Sequence, residues 1–369
     1  MRVVFISRGW WPNVRGGSER FVYRVATELF RRGYEVVGIY YRFPSSDEAE
    51  APFKLIVSGS GSYNYLKALI FSHNAARKAS ELNPDVVIVN GYWSESSPIF
   101  IRGKLRVIYL VHDLGFLSEG GAMSFIKKLI VKYSIKYSDV VIVPTKVVME
   151  ELVRELGIDG DKVRVLGFEG VDAPFKYVHV SNEYFDIVHV GRFSPNKGHL
   201  ILLKAFREVV KEVSNARLWL VGGSDPKGSE YLSRVKEVAS RINEELGREV
   251  VKVVINAPDI TKYYELADLC VAPSLSAEGF GLSVAECMGY GKPVIVSELF
   301  RETGVVSEDS AIIVPKGDAE SLAKAIKEVA RDRDLARRLG MSGLRRSREF
   351  RWGRVADFVE GVINELISK

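Results

Sequence analysis

The chain has 369 residues, 47% hydrophobic and 27% charged, with a net charge of +5. That length exceeds what a single core comfortably fills, so two globular domains are expected. The positive excess lies in residues 1–172, where Lys and Arg outnumber Asp and Glu by 23 to 19. It suits an anionic substrate or a membrane surface and is too small for a nucleic-acid partner.

No signal-peptide pattern and no apolar run near ~18 residues occur, which excludes a transmembrane reading. The expected location is cytoplasmic, with peripheral contact on the inner membrane face left open. Cys270 and Cys287 lie in apolar runs and are expected to be buried, reduced thiols. The chain has no Gln and is rich in Lys, Arg and Glu, a bias that fits a thermophilic source.

In chain order, apolar β-branched runs predict strands at Val3–Ser7, Glu35–Tyr40, Leu55–Val57, Asp85–Asn90, Val107–His112, Asp139–Pro144 and Val163–Leu166. Helical patterns separate most of them, at Ser18–Arg32, Tyr65–Leu82, Phe125–Tyr137 and Lys146–Leu156. Continuously apolar strands alternating with amphipathic helices indicate a parallel sheet covered on both faces. Gly170–Tyr184 lacks periodicity and reads as a linker. The pattern then restarts, with strands at Asp186–Val190, Arg217–Val221, Val250–Ile255, Leu269–Pro273, Pro293–Ser297 and Ala311–Pro315. Helices are expected at Lys197–Val213 and Tyr231–Glu245, and a last one at Trp352–Ser368. The expectation is two doubly wound Rossmann-like domains facing a cleft, residues 1–172 and 173–351, with 352–369 crossing back to the first. Ligands in such sheets sit beyond the C-terminal ends of the strands.

The candidate motifs follow strands. After the first strand, Gly16 and Gly17 open a helix, where backbone can approach a phosphate or an acceptor closely. The order G-x-G-x-x-G is absent, which argues against a dinucleotide dehydrogenase. His112 ends the fifth strand, where a histidine can hydrogen-bond a sugar hydroxyl, although a lone histidine is more often a structural residue. After the first strand of the second half, Arg192 and Lys197 share one loop, where fixed cations stabilise a departing diphosphate. Gly222-Gly223-Ser224 ends the next strand and carries little information alone. Glu278 precedes Gly279-Phe280-Gly281, and Glu286 lies eight residues on, about two turns into a helix. Carboxylates accept from sugar hydroxyls, and the helix N-terminus at Gly281, Leu282 and Ser283 takes phosphate. The pairs Asp159/Asp161 and Asp332/Asp334 do not follow strands and read as surface turns, so no metal is expected. The basic amphipathic stretch Phe125–Tyr137 fits either an anionic membrane surface or an ordinary exposed helix.

Together these residues resemble the family 4 retaining glycosyltransferases, which have the two-Rossmann-domain GT-B fold. The resemblance covers nearly the whole chain. It is strongest over Val190–Phe206, similar to that family's G-R-x-x-x-x-K-G loop, and over Leu269–Ile326. The latter contains Pro273-Ser274, Glu278-Gly279-Phe280-Gly281, Glu286, Gly291-Lys292-Pro293-Val294-Ile295 and Pro315-x-Gly317-Asp318 in the family's order. Glu169, Asn256-Ala257 and Glu298-Leu299-Phe300-Arg301 depart from the common pattern and blur the base and the sugar.

The resemblance implies a metal-independent, retaining transfer of a hexose from a nucleotide diphosphate sugar to a hydroxyl acceptor, with no cofactor. The acceptor class, whether glycan, lipid-linked or small molecule, stays open. Arg192 and Lys197 would bind the diphosphate, with the N–H groups of Leu282 and Ser283. Glu278 would contact the transferred sugar and Glu286 the ribose, while His112 would reach the sugar from the first domain. Gly16 and Gly17 would flank the phosphates or the acceptor. A nucleotide-sugar epimerase, a sugar phosphorylase and a non-catalytic sugar binder are the alternatives. Acceptor recognition would lie in the loops Trp10–Arg15 and Gly115–Gly121.

Overall fold

The computed structural model describes residues 1–14, 17–43, 49–62, 64–91, 93–112, 122–223, 229–276 and 278–368, with backbone alone at 122 and 123. Arg15, Gly16, the 115–121 loop and Ser224 lie outside the described residues. The chain packs as two units, Met1–Gly170 with Trp352–Lys369, and Val171–Arg351.

The first unit holds β1 (Arg2–Ser7), β2 (Glu35–Arg42), β3 (Lys54–Ser60), β4 (Val86–Asn90), β5 (Val107–Leu110), β6 (Val140–Val143) and β7 (Val163–Val165). They form one parallel sheet in the order β3-β2-β1-β4-β5-β6-β7. The helices are α1 (Gly17–Arg31), α2 (Tyr65–Glu81), α3 (Ser97–Ile101), α4 (Ala122–Lys136) and α5 (Lys146–Leu156). Side chains alternate across the sheet, and both faces are covered. Val3 and Phe5 enter a core shared with Phe21, Val25 and Leu29 of α1. Val4 and Ile6 enter a second core with Phe71 of α2, Val131 and Ile135 of α4, and Leu152 of α5. That two-sided burial is why the strands read as unbroken apolar runs.

The second unit repeats the design with β8 (Phe185–Val190), β9 (Ala216–Gly222), β10 (Val251–Ile255), β11 (Leu269–Ala272), β12 (Val294–Ser297) and β13 (Ile312–Val314). These strands are also parallel, in the order β10-β9-β8-β11-β12-β13. Its helices are α6 (His199–Val209), α7 (Ser229–Leu246), α8 (Thr261–Leu266), α9 (Leu282–Gly289), α10 (Ala319–Arg331) and α11 (Arg333–Ser347). Leu202 and Phe206 of α6 and Leu322 and Ile326 of α10 pack on Ile187, Leu218 and Ile295. The last helix, α12 (Trp352–Ser368), returns to the first unit, where Val355, Val359 and Ile363 join the α1 core. Arg32 pairs there with Asp357 at 2.7 Å and also with Glu360, and Arg164 pairs with Glu365 at 2.8 Å.

Four details differ from the sequence expectation. Cys270 and Cys287 are not reduced thiols: they form a disulfide joining β11 to α9, with Cα atoms 6.6 Å apart. The strand and the helix that covers it bring the two positions within the reach of a disulfide, a proximity that spacing along the chain conceals. A short helix, α3, had no periodicity to announce it, being only five residues long. The helix expected from Lys197 begins at His199, after a 3₁₀ turn over Pro195–Lys197. Gly198 interrupts it with φ +73°, and a Cβ there would meet the Pro273 carbonyl oxygen at 2.0 Å. Only glycine lets this loop approach the next one so closely. Finally, β5 ends at Leu110, two residues before His112.

The Asp pairs are turn elements. Asp159 accepts from the Asp161 N–H at 2.9 Å, and Asp332 caps α11 by accepting from the Leu335 N–H at 2.8 Å.

Candidate functional site

Each sheet reverses its winding once, between β1 and β4 in the first unit and between β8 and β11 in the second. Such a reversal opens a crevice at the strands' C-terminal ends. Nearly all the sequence-predicted site residues sit at these two places.

In the second unit the two loops at the reversal interlock. Gly191–Gly198 follows β8, and residues 273–281 follow β11. The Leu275 N–H donates to the Asn196 carbonyl at 2.7 Å, and Gly198 lies against Pro273. This contact sets Lys197 opposite Glu278. The Lys197 Nζ donates to Glu278 Oε1 at 2.7 Å and to Oε2 at 2.8 Å. Ser274 Oγ donates to Oε1 as well. The pair is largely sheltered, with side chains 22% and 12% exposed. Arg192, on the same loop, is exposed and makes no ion pair among the described residues.

Behind Lys197 lie two buried histidines. His189 of β8 shares a hydrogen bond of 2.8 Å with the Val271 carbonyl through Nδ1. Its ring stands edge-on to His199 at 4.6 Å, and His199 stacks on Phe193 at 4.9 Å. Desolvation pushes the His189 pKa down to about 4 and the His199 pKa to about 2. The Lys197 charge adds to both shifts. Neutral rings beneath Lys197 avoid a concentration of positive charge.

The N-terminus of α9 follows Gly281, whose φ is +98°. A Cβ at Gly281 would come within 2.6 Å of the Phe300 ring. The Val284 and Ala285 N–H groups return to the Gly281 carbonyl at 3.0 and 3.1 Å. Leu282 and Ser283 belong to the turn ahead of those bonds, where helix N–H groups have no carbonyl partner within the helix. Glu286, one turn further along α9, is 4% exposed and accepts from the Tyr264 hydroxyl of α8 at 2.9 Å. The two glutamates are therefore held differently: Glu278 faces a cation, whereas Glu286 faces a phenol.

In the first unit, His112 shares a 2.9 Å hydrogen bond with Asn90 Oδ1 through Nε2, and its ring meets Phe21 edge-on at 5.3 Å. Asn90, at the end of β4, donates to Ser7 Oγ at the end of β1 at 3.1 Å. Gly17 starts α1, and a Cβ there would meet nothing within 4 Å. The sequence reading passed over two residues here. Glu19 is fully buried and accepts from Arg8 Nε at 2.6 Å, while the Arg8 guanidinium sits 5.3 Å from the Trp93 ring centroid. The ion pair holds this buried carboxylate at the start of α1, beside the winding reversal. An acid two residues after Gly17 was the available hint.

The family description "Glycosyltransferase Family 4" matches residues 15–167, and "Glycosyl transferases group 1" matches residues 184–332. The chain is 24% identical to a D-inositol 3-phosphate glycosyltransferase of Nocardia farcinica over 93% of its length and 83% of that enzyme's. A lipopolysaccharide 1,2-N-acetylglucosaminetransferase of Salmonella typhimurium is 32% identical over 128 residues, 33% of this chain and 32% of that protein. Among solved structures, Anabaena Alr3699/HepE in complex with UDP superposes with a TM-score of 0.75 at 17% identity, covering 99% of this chain and 100% of that one. Two parallel-sheet units of this topology, with family matches over both, establish the GT-B fold: the chain belongs to the family 4, group 1 glycosyltransferases and is an enzyme that transfers sugar.

Proposed function

We propose that the protein transfers a hexose from a nucleotide diphosphate sugar to a hydroxyl acceptor, with retention at the anomeric carbon and without a metal or cofactor. One observation carries the reading: Lys197, bonded to Glu278, and the exposed Arg192 share a loop at the end of β8, where the sheet reverses its winding beside β11. Two fixed cations together with the α9 N-terminus supply the charge that a departing diphosphate requires.

In this reading the diphosphate takes Lys197 and Arg192 and accepts from the N–H groups of Leu282 and Ser283. Glu278, relieved of its cation, accepts from a hydroxyl of the transferred sugar. Glu286, oriented by Tyr264, accepts from the ribose hydroxyls. His112, oriented by Asn90, serves the sugar, and Gly17 permits close approach of phosphate or acceptor. As the bond from the anomeric carbon to the diphosphate oxygen breaks, that oxygen takes the proton of the acceptor hydroxyl arriving on the same face. No enzymic nucleophile is needed. The UDP held by the Anabaena neighbour makes UDP-sugars the first donors to try.

A thermal-shift panel of UDP-, GDP- and ADP-sugars tests the donor. A ligand at 100 times its dissociation constant stabilises by about 2.7 kcal/mol. A product assay then tests the reaction. Glycoside plus free nucleoside diphosphate supports transfer, whereas an epimerised donor or a sugar phosphate refutes it. Donor binding without turnover would mean a sugar binder.

A further inference from the structure

The helix layer formed by α2, α3 and α4 presents apolar side chains to solvent. On α4 the outward stripe is Phe125, Ile126, Leu129, Lys132, Tyr133 and Lys136, spaced as one face of a helix. Phe125 is 63% exposed and Tyr133 48%. The inward face of the same helix, with Val131 and Ile135, is already buried in the sheet core. On α2, Leu66, Leu69 and Ile70 are likewise exposed, Leu66 by 66%. The two faces adjoin. Lys127 of α4 lies 5.9 Å from the Tyr65 ring of α2, and His73 of α2 meets the exposed Phe100 of α3 at 5.1 Å.

We infer that this face docks on an anionic lipid bilayer. Its charge is mostly positive: α4 carries Lys127, Lys128, Lys132 and Lys136 and no acid, and the acid of α2 is Glu81 at its far end. Lys128 lies 3.8 Å from Glu155, while Lys132 and Lys136 make no ion pair among the described residues. Lysines are interleaved with the apolar residues of the stripe. Protein interfaces deplete lysine at their cores, whereas a membrane surface accepts apolar groups below and ammonium groups at the headgroups. A second copy of the chain would set lysine against lysine. Among the described residues no helix is long and apolar enough to cross a membrane, so the contact is peripheral.

The test is co-sedimentation of the full chain with phosphatidylcholine vesicles and with vesicles carrying about one third phosphatidylglycerol. The expected result is binding to the anionic vesicles that high salt releases. Lys132→Glu with Lys136→Glu should weaken binding at least about tenfold, and Leu66→Ser with Phe125→Ser should do the same at unchanged charge. All four positions are exposed, and an unaltered melting temperature shows that the variants fold. Absence of binding to anionic vesicles, or full binding by both variants, overturns the inference. So does light scattering that shows a dimer which these substitutions dissociate, or an acidic protein partner held by the same face while vesicles are not. Vesicle binding involves no donor, so its failure leaves the transferase reading standing.

Discussion

Lys197 donates to both carboxylate oxygens of Glu278, at 2.7 and 2.8 Å, so this sheltered cation and acid neutralise each other. In the proposed reading a diphosphate takes the ammonium from the carboxylate, and that exchange leaves Glu278 free to accept from a sugar hydroxyl. Glu278→Gln removes the competitor while keeping the shape. Turnover should fall roughly 10²-fold, while UDP binds at least as tightly as before. Isothermal titration of UDP alongside initial rates checks this; normal turnover with lost UDP affinity would contradict it.

Glu286 is assigned to a part of the donor that does not react. Interactions of that kind bind ground state and transition state alike, so their loss raises KM and leaves kcat in place. Glu286→Gln and Tyr264→Phe should both do so, the second by less because it removes only the group that orients the carboxylate. Steady-state kinetics over a donor series gives the split. A fall in kcat at constant KM would move Glu286 into the chemical step.

Gly281→Ala should damage the site through the backbone. At φ +98° an L-residue costs about 1–2 kcal/mol, and the added carbon also meets the Phe300 ring at 2.6 Å. Chemical denaturation should show at least that loss, and donor binding should weaken because the N–H groups of Leu282 and Ser283 turn with the residue. Gly17→Ala provides the contrast. Its Cβ meets no protein atom within 4 Å, so any effect falls on ligand binding rather than on stability.

The buried histidines predict how stability depends on acid. Both pKa values are lowered in the fold, from 6.5 to about 4 for His189 and to about 2 for His199. The unfolded chain therefore takes protons that the fold refuses. Their contribution is intact above pH 6.5 and is lost as pH falls from there, through about 4 for His189 and further for His199. With two protons the slope reaches about 2.7 kcal/mol per pH unit. Asp268, raised above its ordinary value by burial, opposes this at the acid end. Urea denaturation at a series of pH values should show the slope, and His199→Phe should make it shallower by one proton. An unchanged slope in that variant would mean that His199 titrates freely.

Much of this was legible from the chain alone. Doubly covered parallel strands are short apolar runs, so all thirteen were found within a few residues of their ends. The loop cations and the glutamates stood beside glycines whose spacing along the chain is itself the signal. What stayed hidden depends on contacts between distant positions. Arg8 with Glu19, Asn90 with His112, and Tyr264 with Glu286 meet only once the sheet is ordered. The disulfide was misread for the same reason: an apolar setting describes a buried thiol and a buried disulfide equally well.

Arg192→Ala and Lys197→Ala, assayed separately for nucleoside diphosphate release and for the anomeric configuration of the product, test the central claim most directly. The account predicts a product of the donor's own configuration from the unaltered enzyme, and a turnover lower by roughly 10²–10³-fold in each variant, with the fold intact. Near-normal turnover in both variants, or an inverted product, would contradict it.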